Sequence, residues 1–400
     1  MTRKQLIALS LCIVCGAEKA WAQGSQTRKS STKRGVGTSG AGSKSNSGSL
    51  LGIGASRRRA PTELPPQRTP DLSAKLLGGV SQGGHKDGTV ASALFRDPSG
   101  MCMGDDGALY VCDTGNHCIR RVDIDRNVVT ISGAVGERGN LDAIGRAAKW
   151  NAPVDICEIS PHNYLVADRD GHCIRQLWFE GDKLSNPNAW HVRTVAGGSA
   201  AGNLDGKGED ARFASPMAVC KVGPASYAIA DKDNNAIRLL RHGGSYETPK
   251  DWSVSTRNTR IEQPCGLSPY PAGGLLVNCF HQRDDANNVW PYYSKIVLLY
   301  ANNTVKTIAT SGSRAALVSG PIVADRDGNV YAPCTERRYN IMQNGWLSFQ
   351  LTRVDPQGLL HRVVRTTGVG YPTGLTIDSM NNLVFSVSNQ LYELYTGIDD

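Results

Sequence analysis

One pattern constrains the fold of this chain more than any other: a segment that occurs three times. It reads FRDPSGMCMGDDGALYVCDTGNHCIRRV from Phe95, WNAPVDICEISPHNYLVADRDGHCIRQL from Trp150 and FASPMAVCKVGPASYAIADKDNNAIRLL from Phe213. Each copy has an aromatic residue, two further residues, and then Pro98, Pro153 or Pro216. A short apolar stretch and a turn follow. An alternating strand then ends in Asp113, Asp168 or Asp231, and a polar turn leads to a strand beginning near Ile119, Ile174 or Ile237. Weaker copies follow Pro264, Pro321 and Pro372, so the six prolines stand 55, 63, 48, 57 and 51 residues apart. Self-similarity at this period marks a repeat architecture. Each unit has room for four short strands, and little in it has helical period.

A four-stranded sheet with two apolar faces cannot stand alone, so such units pack radially. The expected fold is all-β, a six-bladed β-propeller over residues 71–400. Its closure is also written in the chain. After Pro372 the sequence supplies TGLTID, NLVFSV and QLYELY, three strands, and then reaches Asp400. The missing outer strand stands at the other end, where Ala74–Gly79 (AKLLGG) matches Arg193–Gly198 (RTVAGG) of the second unit. An N-terminal strand completing the last blade would remove an open sheet edge.

These residues resemble the NHL-repeat family. YVCDTGNHCIRRV and LVADRDGHCIRQL are similar to its strand–turn–strand core. The glycine-rich lead-in recurs as GGVSQGGHKDGTVASALFRDP, GAVGERGNLDAIGRAAKWNAP and GGSAAGNLDGKGEDARFASP. The resemblance is carried by residues 74–245, while over 246–400 the blades follow from spacing and alternation. It implies the propeller rather than a job, since propellers host many unrelated activities. It also implies a structural role for His117 and His172, which sit in register in the turn. The amidating lyases of this fold hold a central zinc with histidines from separate blades. Only His281 and His361 could be nominated for that here, neither in a matching motif, so a metal role is left open.

The first 22 residues have a basic start (Arg3, Lys4), an apolar stretch from Leu6 to Ala17, and Ala20-Trp21-Ala22. That is the pattern of a secretory signal cut after Ala22, and the apolar block is too short for a permanent membrane anchor. The competing reading is a mitochondrial presequence, because the first 60 residues are rich in Arg and Ser and hold one acid, Glu18. Residues 23–70 are Gly, Ser, Lys, Arg and Pro, which cannot bury enough surface to order themselves, so a disordered basic linker is expected. Residues 1–70 hold 12 Lys and Arg against Glu18 and Glu63, whereas the other 330 hold 32 against 34 acids. The net charge of +8 is therefore a property of the tail. A folded body without net positive charge gives no general case for nucleic-acid binding.

The cysteines fall into register with the repeat. Cys102, Cys157 and Cys220 share one innermost-strand position and Cys118 and Cys173 another, as small packing residues would. Cys112 and Cys118 flank one hairpin turn and are candidates for a cross-strand disulfide in an oxidising compartment. Cys279 and Cys334 stand where the earlier blades place the turn Asp, so a paired or reactive role is open beside packing. A cation ring of Asp113, Asp168 and Asp231 is conceivable, but Asp here more simply caps its own turn. Asp87, Asp205 and Asp327, each before Gly, read likewise as turn chemistry. Asn302-Asn303-Thr304 is an N-glycosylation acceptor placed in a hairpin between KIVLLY and VKTIAT.

No catalytic triad order, paired-carboxylate arrangement or P-loop is present, so an enzyme is not expected and no cofactor is implied. The asymmetry among blades points to binding instead. Blade 4 inserts FHQRDDANNVWPYYSK (Phe280–Lys295) and blade 5 inserts TERRYNIMQNGW (Thr335–Trp346), where blades 1–3 have short turns. Both insertions fall on the face bearing the turn after the second strand of each blade, the top face. Trp290, Tyr292, Tyr293, Arg337, Arg338 and Tyr339 are the candidate ligand-binding residues, because aromatics beside arginine dominate interaction hot spots. The expected function is a monomeric, non-catalytic platform holding a protein, peptide or glycan, exported to the extracellular space or periplasm. The alternatives are a metal-assisted lyase or hydrolase at the central channel and a mitochondrial scaffold whose basic tail touches RNA or an acidic partner.

Overall fold

A computed structural model describes residues 75–395, except 199, 245, 247, 259–260, 282–292, 311–314, 318–319, 337–348 and 366–371. The leader and linker expected over 1–70 lie outside the described residues. Among those described, no helix is long and apolar enough to cross a membrane.

The chain forms six antiparallel sheets arranged as a propeller, each wound from its innermost strand outward. Blade 1 runs Pro98–Met103, Leu109–Asp113, Cys118–Val122, Asn127–Ser132, and blade 2 Pro153–Ser160, Asn163–Asp168, Cys173–Phe179, Trp190–Gly197. Blade 3 runs Pro216–Gly223, Ser226–Asp231, Ala236–His242, Trp252–Asn258, and blade 4 Pro264–Pro269, Leu275–His281, Tyr293–Leu299, Val305–Thr310. Blade 5 runs Val323–Ala324, Val330–Glu336, Phe349–Val354, Leu360–Arg365. Blade 6 takes Pro372–Ile377, Leu383–Val387 and Gln390–Leu394 from the C-terminal end, and Lys75–Gly78 pairs antiparallel with the last of these as its outer strand. The ring therefore closes as the sequence implies. The only helices among the described residues are single 3-10 turns.

The second strands bury more than alternation suggests. Leu109–Asp113 is buried at all five positions, because both faces of each sheet meet a neighbouring blade. The hydrophobic clusters accordingly straddle blade interfaces. Tyr110, Cys112 and Ile131 of blade 1 meet Ile156, Tyr164 and Val166 of blade 2. At the closure, Phe95, Met101 and Val111 meet Val384 and Leu391 of blade 6. Polar contacts stitch neighbouring blades as well. Ser99 donates to the Val154 carbonyl (3.0 Å), Asn278 to Gly320 (3.1 Å), and Thr373 to Pro98 (2.6 Å). Gly374 is required here, since a Cβ on it would collide with the Ser99 carbonyl of blade 1.

Candidate functional site

The top face is built on a device repeated in blades 1–3. Asp113 ends the second strand and its carboxylate accepts the Arg96 amide (2.8 Å), Asn116 Nδ2 (2.8 Å) and Arg120 Nη1 (2.8 Å). Arg120, with a wholly buried side chain, also donates to the carbonyls of Leu94 (2.9 Å) and Lys86 (2.8 Å) and to Asp87 (2.9 Å). Asp87 in turn accepts the Thr130 amide and hydroxyl from the outer strand. Arg175 repeats these contacts with Asp168, Asp142, Lys149 and Leu141, and Arg238 with Asp231, Asp205, Arg212 and Leu204. Each guanidinium lies over the aromatic that opens its repeat, Phe95, Trp150 or Phe213.

One arginine per blade thus ties the glycine-rich lead-in to the turn. The three turn aspartates reach beyond their own turns, and arginine already supplies the cation a metal ring would need. Asp87 and Asp205 likewise hold arginine and threonine rather than their own turns. At the third Asp-Gly pair it is Asp325, not Asp327, that caps the turn, accepting the amides of Asp327 and Asn329.

Blades 4–6 drop both partners together. The strand register places Cys279 and Val297, Cys334 and Thr352, and Val387 and Tyr392 where blades 1–3 have Asp and Arg. A buried carboxylate without its cation is costly, so the pair is kept or lost as a unit. Sequence reasoning singled out the Asp and missed the Arg. The available signal was Arg at one strand position in three repeats, flanked by Ile and due to be buried.

A second repeated device clips adjacent blades. His172 sits in left-handed backbone (φ 52°) and its Nδ1 accepts the Ser215 amide of blade 3 at 3.1 Å. Asn235 does the same for Gln263 (2.8 Å), and Asn389 for Asp97 across the closure (3.1 Å). The structural role implied for His172 is therefore seen directly. His117 shares the left-handed turn geometry.

The candidate Cys112–Cys118 disulfide does not form. Cys112 stands opposite Ile119, and Cys118 opposite Asp113, so the two residues sit one register step apart and face opposite sides of the sheet. All nine cysteines among the described residues are free, and burial pushes the Cys279 thiol up to about 12. That makes Cys279 a packing residue rather than a nucleophile. His361 lies on the outer strand of blade 5, bonded to Asp355 (2.8 Å), remote from any channel metal. Asn302 is exposed in the hairpin between Tyr293–Leu299 and Val305–Thr310, its side chain accepting the Thr304 amide (3.0 Å), so the hairpin placement holds.

Asp155 departs from the repeat. It stands on the innermost strand of blade 2, two residues past the proline, where Gly100, Gly266 and Gly374 occur. Its Oδ2 accepts the Val219 amide of blade 3 (2.8 Å). Burial pushes its carboxyl up to about 7, against the pull of the Val219 and Ile156 amides. Because the folded-state value is raised, ionisation opposes folding. The stability associated with protonated Asp155 is full below about pH 4 and is lost as pH rises through 7, by a few kcal/mol (~1.4 per unit). Asp155→Asn keeps an acceptor for Val219. It should therefore melt well above the wild type at pH 8 and close to it at pH 4, as thermal denaturation at both values will show.

Of the six candidate ligand-binding residues, Trp290, Tyr292, Arg337, Arg338 and Tyr339 lie outside the described residues, and Tyr293 begins a described strand. Their anchors are clear. His281 pairs with Tyr293 and Thr335 with Phe349, so segments 282–292 and 337–348 both link second to third strands. That is the position of the Asp113–Cys118 turn in blade 1. The strand ends that anchor both insertions therefore lie on the top face, in successive blades.

This architecture defines a six-bladed β-propeller. Residues 95–122 match the family model of the NHL repeat. The chain is 26% identical over 181 residues to NHL repeat-containing protein 2 of Bos taurus, covering 41% of this chain and 25% of that protein. It is 30% identical over 180 residues to Protein SUPPRESSOR OF QUENCHING 1, chloroplastic, of Arabidopsis thaliana, covering 42% of this chain and 16% of that one. The matches thus span a quarter or less of these relatives' lengths. A solved structure of a protein of unknown function from Bacteroides thetaiotaomicron superposes with a TM-score of 0.51 at 11% identity, over 80% of this chain and 75% of that one. An NHL repeat is thus matched at residues 95–122, within a six-bladed β-propeller.

Proposed function

We propose that this propeller is a non-catalytic binding platform that holds a protein, peptide or glycan between the top-face insertions of blades 4 and 5. The observation that carries the reading is their placement. Two neighbouring blades lengthen the same hairpin on the same face, whereas blades 1–3 close it with a short turn. A long loop without a structural need is where scaffolds of this kind carry function. The insertions supply Trp290, Tyr292 and Tyr293 on one side and Arg337, Arg338 and Tyr339 on the other. Aromatic faces rimmed by guanidinium groups suit an extended acidic peptide or a sugar.

Acidic-peptide and glycan arrays probed with the full chain test the reading. Trp290→Ala and Tyr293→Ala should each cost about 2 kcal/mol, roughly 30-fold, against the best probe. Melting should stay near the wild-type value. Early melting of the variants would make these aromatics packing residues, and unchanged capture would place the site elsewhere.

A further inference from the structure

The outer strands of blades 1–3 do not end their sheets, because each blade's own lead-in lies along them. Gly88–Thr89 pairs antiparallel with Val128 and Asn127, and Gly206–Lys207 with Val254 and Ser253. In blade 2 the Ala143 carbonyl accepts the Val192 amide (3.1 Å). The aspartate just before this contact takes a threonine of the outer strand in every case. Asp87 accepts the Thr130 amide and hydroxyl (3.0 and 2.9 Å), Asp142 those of Thr194 (2.7 and 3.2 Å), and Asp205 those of Thr256 (2.9 and 2.8 Å). An Asp followed by Gly or Ala, laid along the strand, is thus the ligand that three blades seat on their rim.

Blade 4 keeps the receiving strand and lacks the segment. Its outer strand, Val305–Thr310, pairs with Tyr293–Leu299 in the same register, Val297 opposite Thr307 as Arg238 is opposite Thr256. The Tyr300 amide bonds the Thr304 carbonyl, so by alternation Lys306 bonds inward while the Val305 and Thr307 amides point away from the sheet. Among the described residues neither amide nor the Thr307 hydroxyl has a partner, and Val305, Lys306 and Thr307 are exposed. The chain spends residues 79–97, 133–152 and 198–215 on the lead-ins to blades 1–3 but only 259–263 before blade 4, with no aspartate among them. At about 3.3 Å per residue that length is used in crossing from the rim of blade 3 to the inner strand of blade 4. Blades 5 and 6 carry Arg362 and Leu76 at the threonine position, so blade 4 alone retains the threonine without its aspartate.

We propose that this edge is a protein-docking site, independent of the top-face loops, that adds an extended segment of a partner as a fifth strand. The segment carries Asp followed by a small residue and runs antiparallel to Val305–Thr310. Its carboxylate accepts the Thr307 amide and hydroxyl, and its next residue pairs with Val305, as Asp205 and Gly206 do with Thr256 and Val254. The charge of Lys306 discourages pairing with a second copy of this edge and complements an acidic strand. Val297 replaces the arginine of blades 1–3, so the carboxylate rests on Thr307 and the contact is a reversible one.

The probe is the chain's own blade 3 segment as a free peptide, Gly202–Asp210 (GNLDGKGED), added to the full chain and followed by amide hydrogen exchange. The Val305 and Thr307 amides should exchange fast in the free chain and slow as peptide is added, with a Kd of about 1 mM or below. The same peptide with Asp205→Asn, and the chain variant Thr307→Val, should each weaken binding roughly fivefold or more. The exchange reading on the wild-type chain stands even if the variant fails to fold. Protection of both amides before peptide is added would mean that another part of this chain, or a second copy, holds the edge, and would overturn the proposal. Absence of binding at about 1 mM peptide, or binding that leaves these two amides unprotected, would overturn it as well. So would undiminished binding of the Asn peptide or of the Thr307→Val chain.

Discussion

Removal of residues 1–70 should leave the melting temperature unchanged, whereas removal of residues 1–79 should lower it by about 10 °C or more and cause self-association. The second truncation deletes Lys75–Gly78 and bares the backbone edge of Gln390–Leu394. It also removes Leu77, which packs against the cluster joining blade 6 to blade 1, and the bond from the Gly79 amide to Val90 (2.9 Å). An unpaired strand beside a broken apolar interface is a template for edge-to-edge pairing. Calorimetry with light scattering on the two truncations decides the matter. Equal melting would mean that the closing strand adds little.

Replacing Arg238 alone should be among the most damaging single substitutions in the chain. Arg238→Val strands Asp231 in the core without its cation and frees the carbonyls of Leu204 and Arg212, a loss of about 3–5 kcal/mol. The double variant Asp231→Cys with Arg238→Val copies what blade 4 carries at Cys279 and Val297. Although it deletes more contacts, it should unfold at a higher denaturant concentration than Arg238→Val. A double-mutant cycle from urea melts measures this coupling. If the two losses simply add, the aspartate and arginine are not a unit, and their joint absence from blades 4–6 needs another reason.

The fold was legible because the repeat carries it in backbone-level signals. Prolines at the top of the inner strands, an aromatic ahead of them and a strand matching AKLLGG at the far end were enough to place six blades and the closure. What was hidden depended on three-dimensional partners. Arg120, Arg175 and Arg238 were passed over because their role exists only once the lead-in carbonyls and aspartates surround them. The Cys112–Cys118 pairing failed by a single register step, which flips a side chain to the other face of the sheet. Asp155 and the Val219 amide it accepts are 64 positions apart in the chain and in different repeats, so only radial packing brings them within reach. The binding residues proposed for the top face were the opposite case, chosen for composition and for an insertion whose anchors the sheet register supplies.

The free cysteines give the closing strand a further meaning. Those described lie in strands, and most are wholly shielded by neighbouring blades. Their protection is thus a property of the finished ring and of no single blade. Lys75–Gly78 and its partner Gln390–Leu394 stand far apart in the chain, so the interface of blades 6 and 1 seals only when they pair, whereas the clusters joining blades 1 to 2, 2 to 3 and 3 to 4 draw on consecutive blades alone. Until its own interface forms, each thiol is open to oxidation and mispairing. Prompt docking of each blade on the next is therefore what keeps the chemistry of this polypeptide silent.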